Sequence, residues 1–176
     1  FTGRAATVPI DFPPQTVRRM SKAASDLGVT FPSLMLAIVS VLIHRYTGQE
    51  SILIGTPFSG RLHRKFEETV GFFVNMLPLR AEVTGELCFA DVVRRTSQAF
   101  ADALQNEALP LAEIVRQSAA PRDPSRSPLF QVSCTFEKSH RRQESGRAGY
   151  LFDGELQRTN FGGMVQESYP IPIQSC

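Results

Sequence analysis

"VGFFVNMLPLR", residues 70–80, reads as part of a strand that carries an asparagine, Asn75, among its apolar residues. The strand runs over 74–83, "VNMLPLRAEV". Pro78 inside it cannot donate to a sheet ladder, so it points to an edge position or a bulge. An amide buried there without partners would cost about 1–3 kcal/mol, so Asn75 is expected to be satisfied. What it bonds decides what the strand belongs to.

Upstream, "SILIGTPFSGR" (51–61) opens with Ile52, Leu53 and Ile54, a short buried strand, and then turns sharply at Gly55, Pro57 and Gly60. The stretch 62–68, "LHRKFEE", is charged and reads as exposed. Before these lie two helices. One spans 13–28, with Val17, Met20, Ala24 and Leu27 at helical spacing and Gly28 at its end. The next runs from a Thr30 cap, with Pro32 in its first turn, to Gly48. It is apolar nearly all round, which predicts burial on most sides. A short strand is expected at 6–12.

Downstream, 88–108 predicts a helix with Phe89, Val92, Val93, Phe100 and Leu104 on one stripe, and 109–118 a shorter one. Residues 121–131 form a proline-rich turn segment. Residues 130–138 alternate as a strand with Phe130, Val132, Cys134 and Phe136 on one face. A polar loop at 139–149 and weaker strands at 156–161 and 163–169 complete the reading. The order predicts an α/β lobe: a mixed sheet with helices packed on it.

Composition narrows the function. The chain has 176 residues, 42% of them hydrophobic and 20% charged, which permits a real core. A net charge of +2 gives no reason to expect nucleic acid as the main partner. Its longest apolar run, 34–43, is too short to span a bilayer, so no membrane partner is expected. Three cysteines without metal or redox spacing fit a reducing cytosol. The start at Phe1 and the end at Cys176 suggest an excised piece.

Chemistry is sparse. His44, His63 and His140 lie in no catalytic context, and no phosphate-cradling glycine motif is present. No catalytic residue and no metal ligand is therefore assigned. The loop glycines 55 and 60 allow close backbone approach, and Arg61 offers a five-donor fork. Arg61 reads either as a surface arginine or as a partner for a carboxylate across a cleft. In "RDPSRSPLF" (122–130), Asp123 and Ser125 can bond their own backbone, while Arg122 and Arg126 are solvated or clamp the turn.

Taken together, these stretches resemble the condensation domains of nonribosomal peptide synthetases. "VGFFVNMLPLR" resembles the family's (I/V)GxFVNT…R motif, with Met76 for the usual Thr. "RDPSRSPL" resembles RDxSRNPL, with Ser127 for Asn. "RYTGQESILIGTPFSGR" (45–61) resembles RYTGQEDIVVGTPVAGR, with Ser51 for Asp. "NEALPLAEIV" (106–115) matches (H/N)QDxPFE more weakly: Asn106 and Pro110 agree, whereas Glu107, Ala108 and Leu111 depart. The four occur in the family's order and spacing over about 45–130.

The resemblance implies a chloramphenicol acetyltransferase-like fold of two lobes with a tunnel between them, residues 1–176 forming the C-terminal lobe only. The family's HHxxxDG motif lies in the other lobe, and this chain has no HH pair. The implied reaction joins a carrier-tethered acyl donor to a carrier-tethered aminoacyl acceptor, both on phosphopantetheine arms, with no cofactor bound directly. The implied partners are the N-terminal lobe, donor and acceptor peptidyl carrier proteins and an adjacent adenylation domain. By the same resemblance Gly55, Thr56, Pro57, Ser59, Gly60, Arg61 and Asn75 floor the tunnel or meet the other lobe, and Arg80, Arg122, Asp123 and Ser125 are structural; Asn75 reads equally as an amide that fixes backbone or, without the resemblance, as a strand-end amide bonding a neighbouring turn. Phe73-Val74-Asn75 favours an amide-forming member over epimerisation or heterocyclisation relatives. The alternative is a non-catalytic module that docks carrier proteins or recruits another enzyme.

Overall fold

In a computed structural model of the chain, residues 8, 10–61, 63–66, 68–118 and 126–136 are described. Helix α1 spans Pro14–Asp26 and helix α2 Phe31–Thr47, with a bend of 105° between them. The expected ends are where the local chemistry puts them. Thr30 Oγ1 accepts from the Ser33 N–H at 3.2 Å. Gly48 closes α2 with a left-handed φ of 69°, its N–H donating to the His44 carbonyl. Gly28 plays the same part after α1. The first half of α2 is buried, Leu34 to Ala37 and Ser40 included; its second half is not, for Leu42 and Tyr46 face outward.

Strand β1, Ser51–Phe58, pairs antiparallel with β2, Asn75–Glu82, and parallel with the short β3, Val132–Ser133. The sheet order is β2-β1-β3 among the described residues. Helix α3 spans Phe89–Gln105 and α4 Leu111–Gln117. Residues alternate across the sheet. Ile52, Ile54, Leu77, Leu79 and Ala81 are buried on the helix-covered side, where Ile52, Ile54 and Leu79 join Leu34, Leu36, Ala37, Val92 and Val93 in one core. The α/β class and the mixed sheet are thus as the sequence predicts.

Several expectations need correction. Strand β1 does not stop at Ile54 but continues through Gly55, Thr56 and Pro57 to Phe58. The Cys134 N–H donates to the Gly55 carbonyl at 2.8 Å, so Gly55 and, two residues on, Pro57 turn their ladder groups towards β3. Because β3 reaches only Gly55, the missing N–H of Pro57 breaks no described bond. Pro78 pairs with Gly55 where its nitrogen faces away from β1, and β2 is the outer strand, so an edge rather than a bulge accommodates it.

Of the strand expected at 130–138, only Val132–Ser133 is strand among the described residues. The chain bends at 128, 129 and 131, so Phe130 does not share a face with Cys134 and Phe136. Cys134 and Phe136 join the core, whereas Phe130 lies across Gly55 on the other side of the sheet. Val8 and 10–12 form no strand, and Val8 and Ile10 are exposed. Phe89 and Leu104 are exposed despite their place on the α3 stripe, which is buried only around Val92, Val93 and Thr96. Arg122, Asp123, Ser125, His140, the 139–149 loop and the weaker strands lie outside the described residues.

Candidate functional site

The site is built on the β1–β2 hairpin. Phe58 and Asn75 pair across its open end, and residues 59–74 make the long connection between them. Gly60 adopts φ +62°, and a Cβ there would fall 1.8 Å from the Phe73 carbonyl oxygen, so only glycine fits. This contact folds the loop back on itself.

Arg61 holds the loop from inside. Its Nη1 donates to the carbonyls of Phe66 and of Thr69, the latter at 2.9 Å. Its guanidinium carbon lies 4.5 Å from the centroid of the Phe73 ring. The Phe66 and Phe73 rings meet at 5.5 Å, next to a 3-10 turn at Arg64–Phe66. Ser59 Oγ accepts from the Arg61 N–H at 3.4 Å. Two residues beyond the anchored part of the loop, Val70 and Phe72 are exposed, and Val74 partly so.

Within β1, Gly55 is buried because the Phe130 ring occupies the space where a Cβ would project, 2.3 Å from the nearest ring carbon. Thr56 is 3% exposed, and its hydroxyl has no hydrogen-bond partner. Pro57 is half-buried beside it. Arg80 lies on the open face, where Nε donates to Ser51 Oγ at 3.0 Å and Nη2 sits 3.3 Å from Glu82.

Asn75, like Thr56, is placed on the other side of the sheet from Gly55 and Arg80. It shares the helix-covered side with Leu77 and Leu79, and its amide reaches the α3–α4 junction. Nδ2 donates to the carbonyls of Glu107 at 3.0 Å and Leu109 at 2.8 Å, and Oδ1 accepts from the Leu111 N–H at 3.3 Å. The amide is therefore satisfied on both its donor and its acceptor side. Sequence reading missed the partners. One signal was present: Pro110 precedes α4 and has no side chain able to cap it, so α4 needs an acceptor from elsewhere. Phe73, the platform under Arg61, enters sequence reading only as part of the Phe73-Val74-Asn75 motif.

Among the described residues, burial and local bonds account for the shifted titratable groups. Cys134 is buried in the core, and desolvation raises its thiol pKa to about 11, so it stays neutral and inert. Asp91 accepts from Cys88 Sγ at 2.9 Å and from Arg94 at 2.9 Å; these hold its carboxyl below the usual range, the Cys88 bond most. His44 bonds the Gln49 carbonyl at 2.8 Å and so closes the turn after α2. No three His, Cys, Asp or Glu side chains among the described residues could hold a metal ion.

A family model described as Condensation domain matches residues 2–170. Phosphinothricin tripeptide synthetase PhsB of Streptomyces viridochromogenes is 35% identical over 136 residues, 77% of this chain and 11% of the relative. Tyrocidine synthase 3 of Brevibacillus parabrevis is 36% identical over 126 residues, 72% of this chain and 2% of the relative. The chain thus spans about a tenth or less of these curated relatives. Among solved structures, the X-domain from teicoplanin biosynthesis, also solved in complex with OxyB, superposes with a TM-score of 0.69 at 28% identity. The match covers 74% of this chain and 29% of that one, and the shared fold is the chloramphenicol acetyltransferase-like α/β fold.

Proposed function

Since the chain belongs to the condensation-domain family of nonribosomal peptide synthetases, we propose that it is the second lobe of a domain that forms amide bonds. In this reading the amine of an aminoacyl group, tethered to an acceptor carrier protein, attacks the thioester carbonyl of an acyl donor. The C–N bond forms, the C–S bond breaks, and the thiol of the donor's phosphopantetheine arm leaves. The amine's proton passes to a base that this chain does not carry and the N-terminal lobe would supply. The phosphopantetheine arms are parts of the substrates. Carrier proteins, an adjacent adenylation domain and a cytosolic setting belong to the same proposal.

The observation that supports it most is structural. The motif residues Gly60, Arg61, Phe73 and Asn75 converge at one hairpin end, although the described residues offer no proton-transfer pair there. Such a lobe contributes a wall and a floor, with Gly55, Thr56, Pro57, Ser59, Gly60 and Arg61 along the hairpin. Arg61 is engaged by its own loop, so its part in a contact between lobes is to hold 59–74 in the shape that reaches across. A second reading, a module that recruits a partner enzyme, is favoured by one fact: the X-domain it resembles has been solved bound to OxyB.

Reconstitution separates the readings. Residues 1–176 mixed with loaded donor and acceptor carriers should yield no amide, whereas a domain containing both lobes should. Arg61→Ala in that domain should lower turnover about tenfold or more, through loss of a charge-assisted pair of hydrogen bonds. Product from the isolated lobe would overturn the division of labour. No product from the two-lobed domain, together with capture of a partner enzyme, would favour the recruiting module.

A further inference from the structure

We propose that Asn75 is a positioning residue that fastens the α3–α4 junction to the root of the 59–74 loop, so that both present one rigid wall to the substrates. This rests on the amide-forming reading above. The geometry is specific to asparagine. Two amide hydrogens fork to carbonyls two residues apart, Glu107 and Leu109, while the oxygen takes the Leu111 N–H. Aspartate lacks both donors, serine has one, and glutamine is a methylene longer.

The bonded partner is weak by itself. Helix α4 has seven residues, none of them buried, and no side-chain cap of its own. Helices this short are marginal without tertiary support. Asn75 supplies the missing acceptor from 36 positions away in sequence. On the other side, Asn75 lies two residues after Phe73, whose carbonyl faces Gly60 and whose ring lies under Arg61. The tripeptide Phe73–Asn75 is therefore a node: one end shapes the loop and the other holds α4.

The test uses the domain with both lobes. Asn75→Ala should lower kcat on the order of tenfold, with KM little changed, and speed amide hydrogen exchange at Leu111 by a similar factor. The second substitution, Pro110→Asp, gives α4 a local cap at a residue whose backbone (φ −65°, ψ 141°) already suits one. In the double variant, Tm should recover while kcat stays low. Asn75→Asp, which keeps the acceptor for Leu111 but loses both donors, should match alanine in kcat. Where the alanine variant does not fold, Asn75→Ser should show an intermediate loss. Recovery of kcat together with Tm in the double variant would make the role purely structural and overturn the proposal. So would Asn75→Ala turnover within twofold of the unaltered domain. Should the unaltered domain form no amide, the functional reading fails. Leu111 exchange then decides the junction alone: unchanged exchange in Asn75→Ala sinks it.

Discussion

The two faces of the β2-β1-β3 sheet differ in what they hold and in why. On one face, Ile52, Ile54, Leu77, Leu79 and Ala81 lie under α2 and α3 and are nearly all sealed from water. On the other, Ser51, Leu53, Arg80 and Glu82 are exposed, and the Phe130 ring lies against Gly55. The covered face is generic: any well-packed apolar set of that volume would serve. The open face is particular, because Gly55, Pro57, Pro78 and Arg80 stand there, and of these only Gly55, which leaves room for the Phe130 ring, serves packing. Stability is concentrated on the first face and motif residues on the second, with two exceptions. Thr56 and Asn75 are polar residues on the covered side. Asn75 is fully bonded and Thr56 is not.

The largest expected effect tests that contrast directly. Ile54→Ala should destabilise the domain by about 2–5 kcal/mol, since it empties a site 1% exposed at the centre of the core. Leu53→Ala, one residue away on the open face and 37% exposed, should cost under about 1 kcal/mol. Denaturant midpoints of the two variants measure the difference. Equal losses would mean that the open face is packed against something as extensive as α2 and α3.

A smaller effect of opposite sign is expected at Thr56. Its hydroxyl is buried without a partner, and Val has the same shape without the polar atom. Thr56→Val should therefore stabilise by about 1–3 kcal/mol. If thermal unfolding instead shows a loss, the hydroxyl has an acceptor in the assembled protein, and the covered face is not purely a packing surface.

Where the controlling chemistry is local, the fold was legible. Thr30, Gly48 and Gly28 mark their helix ends because capping and left-handed backbone involve neighbouring residues. The alternation of β2 and the edge position implied by Pro78 follow from the period of the strand and a missing donor. The extent of β1 was not legible. Gly55 and Pro57 look like breakers until β3 is seen to end at Gly55, and a pairing partner's length is not written in the strand itself. The same holds for the site. The question raised by Asn75 has its answer 32 to 36 residues downstream, in two carbonyls and an N–H that carry no side-chain signature. Arg61 invited a partner across a cleft, yet carbonyls five and eight residues away already engage it. Phe89 and Leu104 kept helical period without gaining cover, because periodicity reports a face and not what lies against it.

The smallest expected effect falls on the open face, at Arg80. Its guanidinium bonds Ser51 and lies near Glu82, but its side chain is 65% exposed, and solvent screens such a pair. Arg80→Ala should shift stability by less than about 0.5 kcal/mol, a change near the limit of a denaturant titration. The same variant in the two-lobed domain isolates function from folding. A structural arginine that ties β1 to β2 would leave turnover as unaffected as stability. A fall in turnover without a fall in stability would mean that the open face, beyond the Phe130 ring that lies on Gly55, is held in reserve for substrate or for the other lobe. In that case the division between the two faces is one of purpose as well as of burial.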